Sequence, residues 1–233
     1  MPEKMIRVFV GYDPVESVAW HTMVHSILEK SSVPLAITPI NLNNLKGIYK
    51  RTHDSKQSNQ FSFTRFLVPY LCGYSGYAVF FDCDMLLRAD IASLFAESSI
   101  DSHAVCVVKH DYIPKNKIKY LNNIQHAYPR KNWSSVVLWN CGHPANKIVT
   151  PDYVNTVEPS ILHRFSWLQD DEIGELDIRW NWLVGEYENP PIDVKNIHWT
   201  VGGPYFNEYK NTDFSDEWYA QLGKVIYCKQ RDE

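Results

Sequence analysis

Two carboxylates one residue apart, Asp82 and Asp84, follow the apolar run Tyr77–Phe81. A lone D-x-D triplet is a weak signal, so its placement decides its worth. The run YAVFF reads as a buried strand, and it delivers both carboxylates to the carboxyl edge of an α/β sheet, where ligands bind. Alternation along an extended chain points Asp82 and Asp84 to one side and Cys83 to the other. Two hard oxygen donors on one side suit Mn²⁺ or Mg²⁺ bridged to a diphosphate. The competing reading is a solvated turn or helix cap. It is the weaker one, because two unpaired carboxylates after a fully apolar strand are costly without a counter-ion.

Further groups have types and spacing that carry chemistry. Asp170 and Asp171 are candidates for a catalytic carboxylate beside a reacting sugar, as nucleophile, base or electrostatic stabiliser. The same acidic run, completed by Glu172, would also serve as a helix start. Lys131, Asn132 and Trp133 combine a cation, an amide and a ring face, a mixture suited to saccharide hydroxyls. Trp180 and Trp182 read as core. Gly202 and Gly203 would let backbone approach phosphate closely, or simply make a turn before Pro204. Gly11, Tyr12 and Asp13 lie at the first strand-to-helix turn, the natural place for a nucleotide base, with helix capping as the rival role for Asp13. His21 and His25 share a helix face but lack the glutamate of a zinc-protease motif, and read as packing or surface residues. The basic run 115–119 reads as a solvated loop.

These groups need a frame. Ile6–Val10 is a first strand. Asp13, Pro14 and Glu16 carry the marks of a capping box before a helix over 14–30, with Val18, His21, Val24, His25 and Leu28 as one face. Leu35–Ile40 is a second strand, so the chain opens as β-α-β, the start of an open α/β sheet. A helix is expected over Ser62–Leu71, a turn over Gly73–Gly76, and a helix capped by Asp90 through Phe95. Ala104–Val108, Val136–Trp139 and Ile197–Thr200 are further strands. Short helices are expected over 151–157 and 216–222.

Composition narrows the class. The chain has 233 residues, 45% of them hydrophobic, enough for a substantial core. A net charge of −4 argues against a nucleic-acid binder. No run approaches the length of a membrane span and no secretory signal is visible, so a cytoplasmic location is expected. Five cysteines without a CxxC pair, Cys72, Cys83, Cys106, Cys141 and Cys228, read as reduced and mostly buried thiols. There is no G-x-G-x-x-G and no P-loop, which disfavours dinucleotide binding and ATP hydrolysis.

The segment YAVFFDCDMLLRADIASLF resembles the core of the GT-A sugar transferases, in particular glycosyltransferase family 8. Three other segments agree in order: Arg65 in FSFTRFLVPYL, Asn140 and Gly142 in LWNCGHP, and His198 in IHWTVGGPYF. The resemblance implies a metal-dependent hexosyltransferase using a nucleotide diphosphate sugar, a UDP-sugar, and retention of configuration. It implies His198 as third metal ligand beside Asp82 and Asp84, and Arg65 as a donor contact. Gly11, Tyr12, Asp13, Asp82, Gly202 and Gly203 would complete the donor site. Lys131, Asn132, Trp133 and Asn140 would face the sugars. The chain departs from the family pattern at Pro204, which stands where the family has its diphosphate lysine, and at Gln169-Asp170-Asp171-Glu172. The implied architecture is one Rossmann-like GT-A domain over 1–233 with a mixed, mostly parallel central sheet flanked by helices. A nucleotide-binding half covers 1–110 and ends just after the D-x-D, and an acceptor-side half with the closing segment covers 111–233. The expected partners are a nucleotide sugar and a saccharide or glycoconjugate acceptor, with no nucleic acid.

Three other classes compete. A sugar-nucleotide pyrophosphorylase would need a Gly-rich, basic loop after the first strand, where GYDPVE stands. A haloacid-dehalogenase-type phosphatase also carries D-x-D after a strand, but wants Thr or Val where Leu86 stands, and a nucleophile strand that opens the domain. A non-catalytic carbohydrate-binding protein on a degenerate transferase fold would have less reason to keep Asp82, Asp84 and His198 together.

Overall fold

In the computed structural model, which describes residues 5–52, 57, 59–115, 118–122 and 129–227, the chain opens with strand β1 (Ile6–Gly11). A 3-10 turn over Pro14–Glu16 leads into helix α1 (Ser17–Lys30), and β2 (Leu35–Ile40) returns parallel to β1. The expected β-α-β opening is therefore present. The capping box is not. Asp13 alone caps, accepting from the Val15 N–H, while the Glu16 carboxylate turns inward. The buried face of α1 is Ala19, Thr22, Met23, Ser26 and Ile27, and Leu28 is exposed. That face is set by a strand the periodicity did not reveal, β4 (Met85–Leu87), whose Leu87 N–H donates to Ser26 Oγ at 3.0 Å.

Thr64–Leu67 is a 3-10 turn and Val68–Leu71 is the short helix α2. One continuous helix was expected here. Pro69, which has no N–H to donate, lies in the first turn of α2 and accounts for the division. Gly73 and Gly76 take φ of 60° and 61°, as the turn before β3 requires. Strand β3 (Tyr77–Phe81), then β4, helix α3 (Ile91–Ala96), β5 (Val105–Val107) and β6 (Val136–Asn140) follow. Helices α4 (Pro151–Thr156) and α5 (Pro159–His163) precede β7 (Ile173–Glu175), β8 (Trp182–Leu183), β9 (Asn196–His198) and the closing helix α6 (Ser215–Ile226).

Six strands form the central sheet in the order β2-β1-β3-β6-β5-β7. β1, β2 and β3 are parallel, β6 runs against both β3 and β5, and β7 is parallel to β5. The sheet is mixed and mostly parallel, with β6 the reversed strand. The inner strands β3, β5 and β6 are apolar and buried along almost their whole length, as covering from both sides requires. A second sheet, β4-β9-β8, stands beside it. Around that sheet a smaller core gathers Leu86, Trp182, Ile197, Trp199 and Trp218. Most tryptophans are thus structural. Trp139, Trp180, Trp199 and Trp218 are essentially inaccessible. Cys83, Cys106 and Cys141 are buried free thiols and Cys72 is half-buried, while Cys228 lies outside the described residues. Among the described residues no helix is long and apolar enough to cross a membrane.

Candidate functional site

The reversal of β6 defines the functional edge. β3 ends at Phe81 and delivers Asp82, and the Asp82 N–H continues the ladder by donating to the Ser135 carbonyl at 3.0 Å. The start of β6, not its end, therefore adjoins the carboxylates. Lys131, Asn132 and Trp133 belong to the segment entering β6 and share this edge. Asn140 does not. It pairs with Tyr77, five residues from Asp82, roughly 16 Å along a strand rising about 3.3 Å per residue. Its side chain donates to the Ile100 carbonyl. The structure does not bring Asn140 to this edge, because the strand that carries it runs the other way.

The chain then turns from β3 into the second sheet. β4 pairs antiparallel with β9, Met85 opposite His198, and the Trp199 N–H donates to the Asp84 carbonyl at 2.9 Å. This register sets His198 against Asp84. A carboxylate oxygen of Asp82, one of Asp84 and a ring nitrogen of His198 all lie within 4.8 Å of one another. Cys83, between the two aspartates, is fully buried.

Each member of the cluster is held from behind. Asn181 sits 2.9 Å from His198 Nδ1, and its Nδ2 donates to Ser135 Oγ at 2.8 Å, which leaves its carbonyl oxygen for the ring N–H. His198 Nε2 then faces Asp84 Oδ1 at 3.3 Å. Arg65 pairs with Asp82, and also donates to the Ser134 and Phe61 carbonyls. Arg65 was expected on a helix as a donor contact. It is 5% exposed, its guanidinium 5.1 Å from the Phe80 ring centre.

Asp82 Oδ1 and Asp84 Oδ1 are buried without a well-directed hydrogen bond, although ion pairs reach both. Burial raises the Asp82 carboxyl to about 6, with Arg65 opposing and Asp84 adding. For Asp84, burial pushes upward too, but His198 and Lys119 outweigh it and hold the carboxyl below its ordinary value. Two carboxylate oxygens and an imidazole nitrogen, buried, close and short of hydrogen bonds, form a donor set that fits a divalent cation.

Four groups at this edge escaped the sequence reading. Glu16 is buried and accepts from the Tyr120 and Tyr205 hydroxyls. Burial, then the charge of Asp84, raises its carboxyl to about 8. Capping-box spacing disguised it. Lys119, hidden in the basic run, donates to Thr200 Oγ1 at 3.2 Å, and burial lowers its pKa against the pull of Asp84. Asn181 was concealed in a tryptophan pair. His110 follows β5, with Nδ1 2.8 Å from the Tyr187 hydroxyl, and burial lowers its pKa to about 3.

The remaining expected residues divide. Gly11 ends β1 under the Phe61 ring, where a Cβ would lie 2.3 Å from Cδ2. Tyr12 is half-buried with its ring against Trp20, and Asp13 caps Val15 and accepts from the Gln60 N–H. Gly202 and Gly203 are required by rings, since a Cβ at 202 would meet Tyr209 at 2.4 Å and one at 203 would meet Tyr205 at 2.2 Å. Asp170 and Asp171 are exposed on the 3-10 turn entering β7, and Asp170 pairs with Arg130. Ile173, which follows that turn, is level with Val105, itself opposite Trp139, at the end of the sheet away from Asp82. The structure does not bring these two aspartates into the buried cluster. His21 is exposed and His25 meets the Gln221 amide, so neither approaches a metal site.

No family model matches the chain. It is 46% identical over 226 residues to Protein CDI of Arabidopsis thaliana, covering 94% of this chain and 87% of that protein. Among solved structures, it resembles the galactosyltransferase LgtC in complex with donor and acceptor sugar analogs, at TM-score 0.60 and 9% identity over 97% of this chain and 98% of that one. It also resembles the glycosyltransferase GlyE of Streptococcus pneumoniae TIGR4, at TM-score 0.63 and 14% identity, and the bifunctional glycosyltransferase WbbM, at 0.60 and 14%. These cover 94% and 95% of this chain, which spans 60% of GlyE and half of WbbM. At such identities the likeness shows the fold. It is the GT-A glycosyltransferase fold, with the resemblance to family 8 that the D-x-D region carries.

Proposed function

Because the chain belongs to the family of Arabidopsis Protein CDI and carries the GT-A glycosyltransferase fold, we propose that it transfers a sugar from a nucleotide diphosphate sugar to a saccharide or other acceptor. The donor is a UDP-hexose and the outcome is retention, as the resemblance to family 8 implies. The observation that carries the reading is the buried cluster of Asp82, Asp84 and His198 at the carboxyl edge of β3. A phosphatase of haloacid-dehalogenase type would use the first aspartate as a free nucleophile, whereas Asp82 is tied to Arg65.

The reaction breaks the bond between the anomeric carbon and the diphosphate oxygen and forms one to an acceptor oxygen. Asp82, Asp84 and His198 would hold Mn²⁺ or Mg²⁺, which supplies charge neutralisation of the leaving diphosphate. Arg65 keeps Asp82 ionised and oriented. Asn181 fixes the ring of His198. Lys119 brings a further positive charge toward Asp84, offsetting the loss of the family's lysine at Pro204. The turn Gly11-Tyr12 at the end of β1 offers backbone and a ring to the base. Buried donors and cations in place before the substrate arrives need little reorganisation as charge develops.

Thermal unfolding of the protein with UDP, GDP and their sugars, with Mn²⁺ and with chelator, tests the reading. A ligand bound by the folded state alone raises the melting temperature by mass action. A nucleotide-dependent rise that needs the cation and disappears in Asp84→Ala is expected. Equal stabilisation by nucleotide in Mn²⁺ and in chelator would overturn the cation's part, and no stabilisation by any of them would overturn the donor class.

A further inference from the structure

Resting on the sugar-transfer reading, we propose that the acceptor carries a negative charge, a carboxylate or a phosphate, received by Lys131 with Lys119 and Asn132 beside it. Lys131 is only 5% exposed. Its neighbours on both sides are left-handed non-glycine residues, Arg130 at φ 59° and Asn132 at φ 61°. Asparagine tolerates that region and arginine resists it, so the segment holds its shape through tertiary contacts. Arg130 is fixed by Asp170, the Arg164 carbonyl and the Trp133 ring. Asn132 donates to the Tyr112 hydroxyl and to Thr200 Oγ1. Thr200 Oγ1 is the same atom that receives Lys119 Nζ, each donor at 3.2 Å. One threonine oxygen thus gathers the Lys119 ammonium and the amide next to Lys131.

Buried Lys131 and half-buried Lys119 oppose each other. Burial and then the charge of Lys119 lower Lys131 to about 7, with Glu186 the carboxylate acting the other way. Glu186 also accepts from the Lys115 N–H. An entering anion would be attracted by both ammonium groups and would offset their mutual repulsion. Its place on the edge points to the acceptor. The base would lie at the turn after β1 and the cation at the end of β3, and β6 flanks β3 on the side away from β1. The segment entering β6 is therefore beyond the cation as seen from the nucleotide.

Calorimetry on the full chain loaded with Mn²⁺ and UDP tests this with three probes: glucuronic acid, glucose 6-phosphate and methyl glucoside. The charged sugars are expected to bind at least tenfold more tightly than the neutral one. Lys131→Met, which keeps the length and removes the charge, is expected to abolish that preference, and Lys131→Arg to keep part of it. Equal binding of charged and neutral sugars, or a preference unchanged in Lys131→Met, would overturn the proposal. So would a loss of UDP affinity in Lys131→Met as large as the loss for the charged sugars, since that assigns Lys131 to the donor diphosphate. Lys131→Gln repeats the comparison if the methionine variant unfolds. The same titrations without nucleotide separate the two readings. If UDP does not bind but a charged sugar does through Lys131, the anion site stands and the transferase reading falls.

Discussion

Arg65 Nη1 stands 2.7 Å from Asp82 Oδ1, with both side chains almost wholly withdrawn from solvent. The pair joins the 3-10 turn over Thr64–Leu67 to the end of β3, and the Arg65 link to the Ser134 carbonyl ties in the start of β6. Three elements of the functional edge meet at one guanidinium. A buried ion pair stabilises only when both partners are present, and removing one leaves the other uncompensated.

Arg65→Met is therefore expected to lower the unfolding free energy by about 3–5 kcal/mol in urea titrations. A helix-surface arginine would have cost little. Combining it with Asp82→Asn should recover part of the loss, since the stranded charge is gone. A single-variant loss under about 1 kcal/mol would show that the pair contributes through catalysis alone.

Glu16 makes stability depend on pH in a direction opposite to most carboxylates. Its carboxyl is raised by burial and by Asp84 to about 8, while the unfolded chain releases the same proton near 4.5. Between these values the folded state holds more protons than the unfolded state, so stability falls as pH rises. The slope from this group is up to about 1.4 kcal/mol per pH unit. Asp82, raised to about 6, adds in the same sense over a narrower range. Metal-free urea midpoints from pH 5 to pH 8.5 should fall in the native chain and fall less in Glu16→Gln. Parallel curves for the two proteins would assign Glu16 an ordinary carboxyl.

The parts of the molecule that sequence disclosed are those governed by local pattern. β1, β2 and β3 follow from apolar runs bounded by turn residues, and the D-x-D from its place after such a run. What stayed hidden depends on pairing between distant segments. β4, β7 and β8 are two or three residues long, too short for periodicity to show. The direction of β6 cannot be read from VVLWN, yet it decides that Lys131 reaches the edge and Asn140 does not. Glu16 fits a capping box by spacing, and only Tyr120 and Tyr205, from remote segments, draw it inward. The pairing of Arg65 with Asp82 stayed hidden because the turn that carries Arg65 gives no sign that Asp82 lies across from it.

Asn181 is the residue through which the second sheet aligns the cluster. It is fully buried, accepts from His198 Nδ1–H and donates to Ser135 Oγ. That arrangement orients the ring, directs Nε2 toward Asp84, and links β9 to the residue whose carbonyl receives the Asp82 N–H. A partner on the far nitrogen of a metal-binding histidine typically governs affinity by 10–100-fold, an order-of-magnitude guide. Asn181→Leu is expected to weaken Mn²⁺ binding within that range, read by electron paramagnetic resonance of free Mn²⁺ at fixed nucleotide. It should also cost about 1–3 kcal/mol of stability, because the imidazole N–H and the serine hydroxyl lose a buried partner. Asn181→Asp retains an acceptor for the ring and should keep more affinity than the leucine variant. The order native, aspartate, leucine separates orientation of the ring from simple packing, since leucine fills the space and aspartate preserves the hydrogen bond. If folded Asn181→Leu binds Mn²⁺ within twofold of the native chain, His198 is not oriented through Asn181, and the cluster must be held by Asp82 and Asp84 without it.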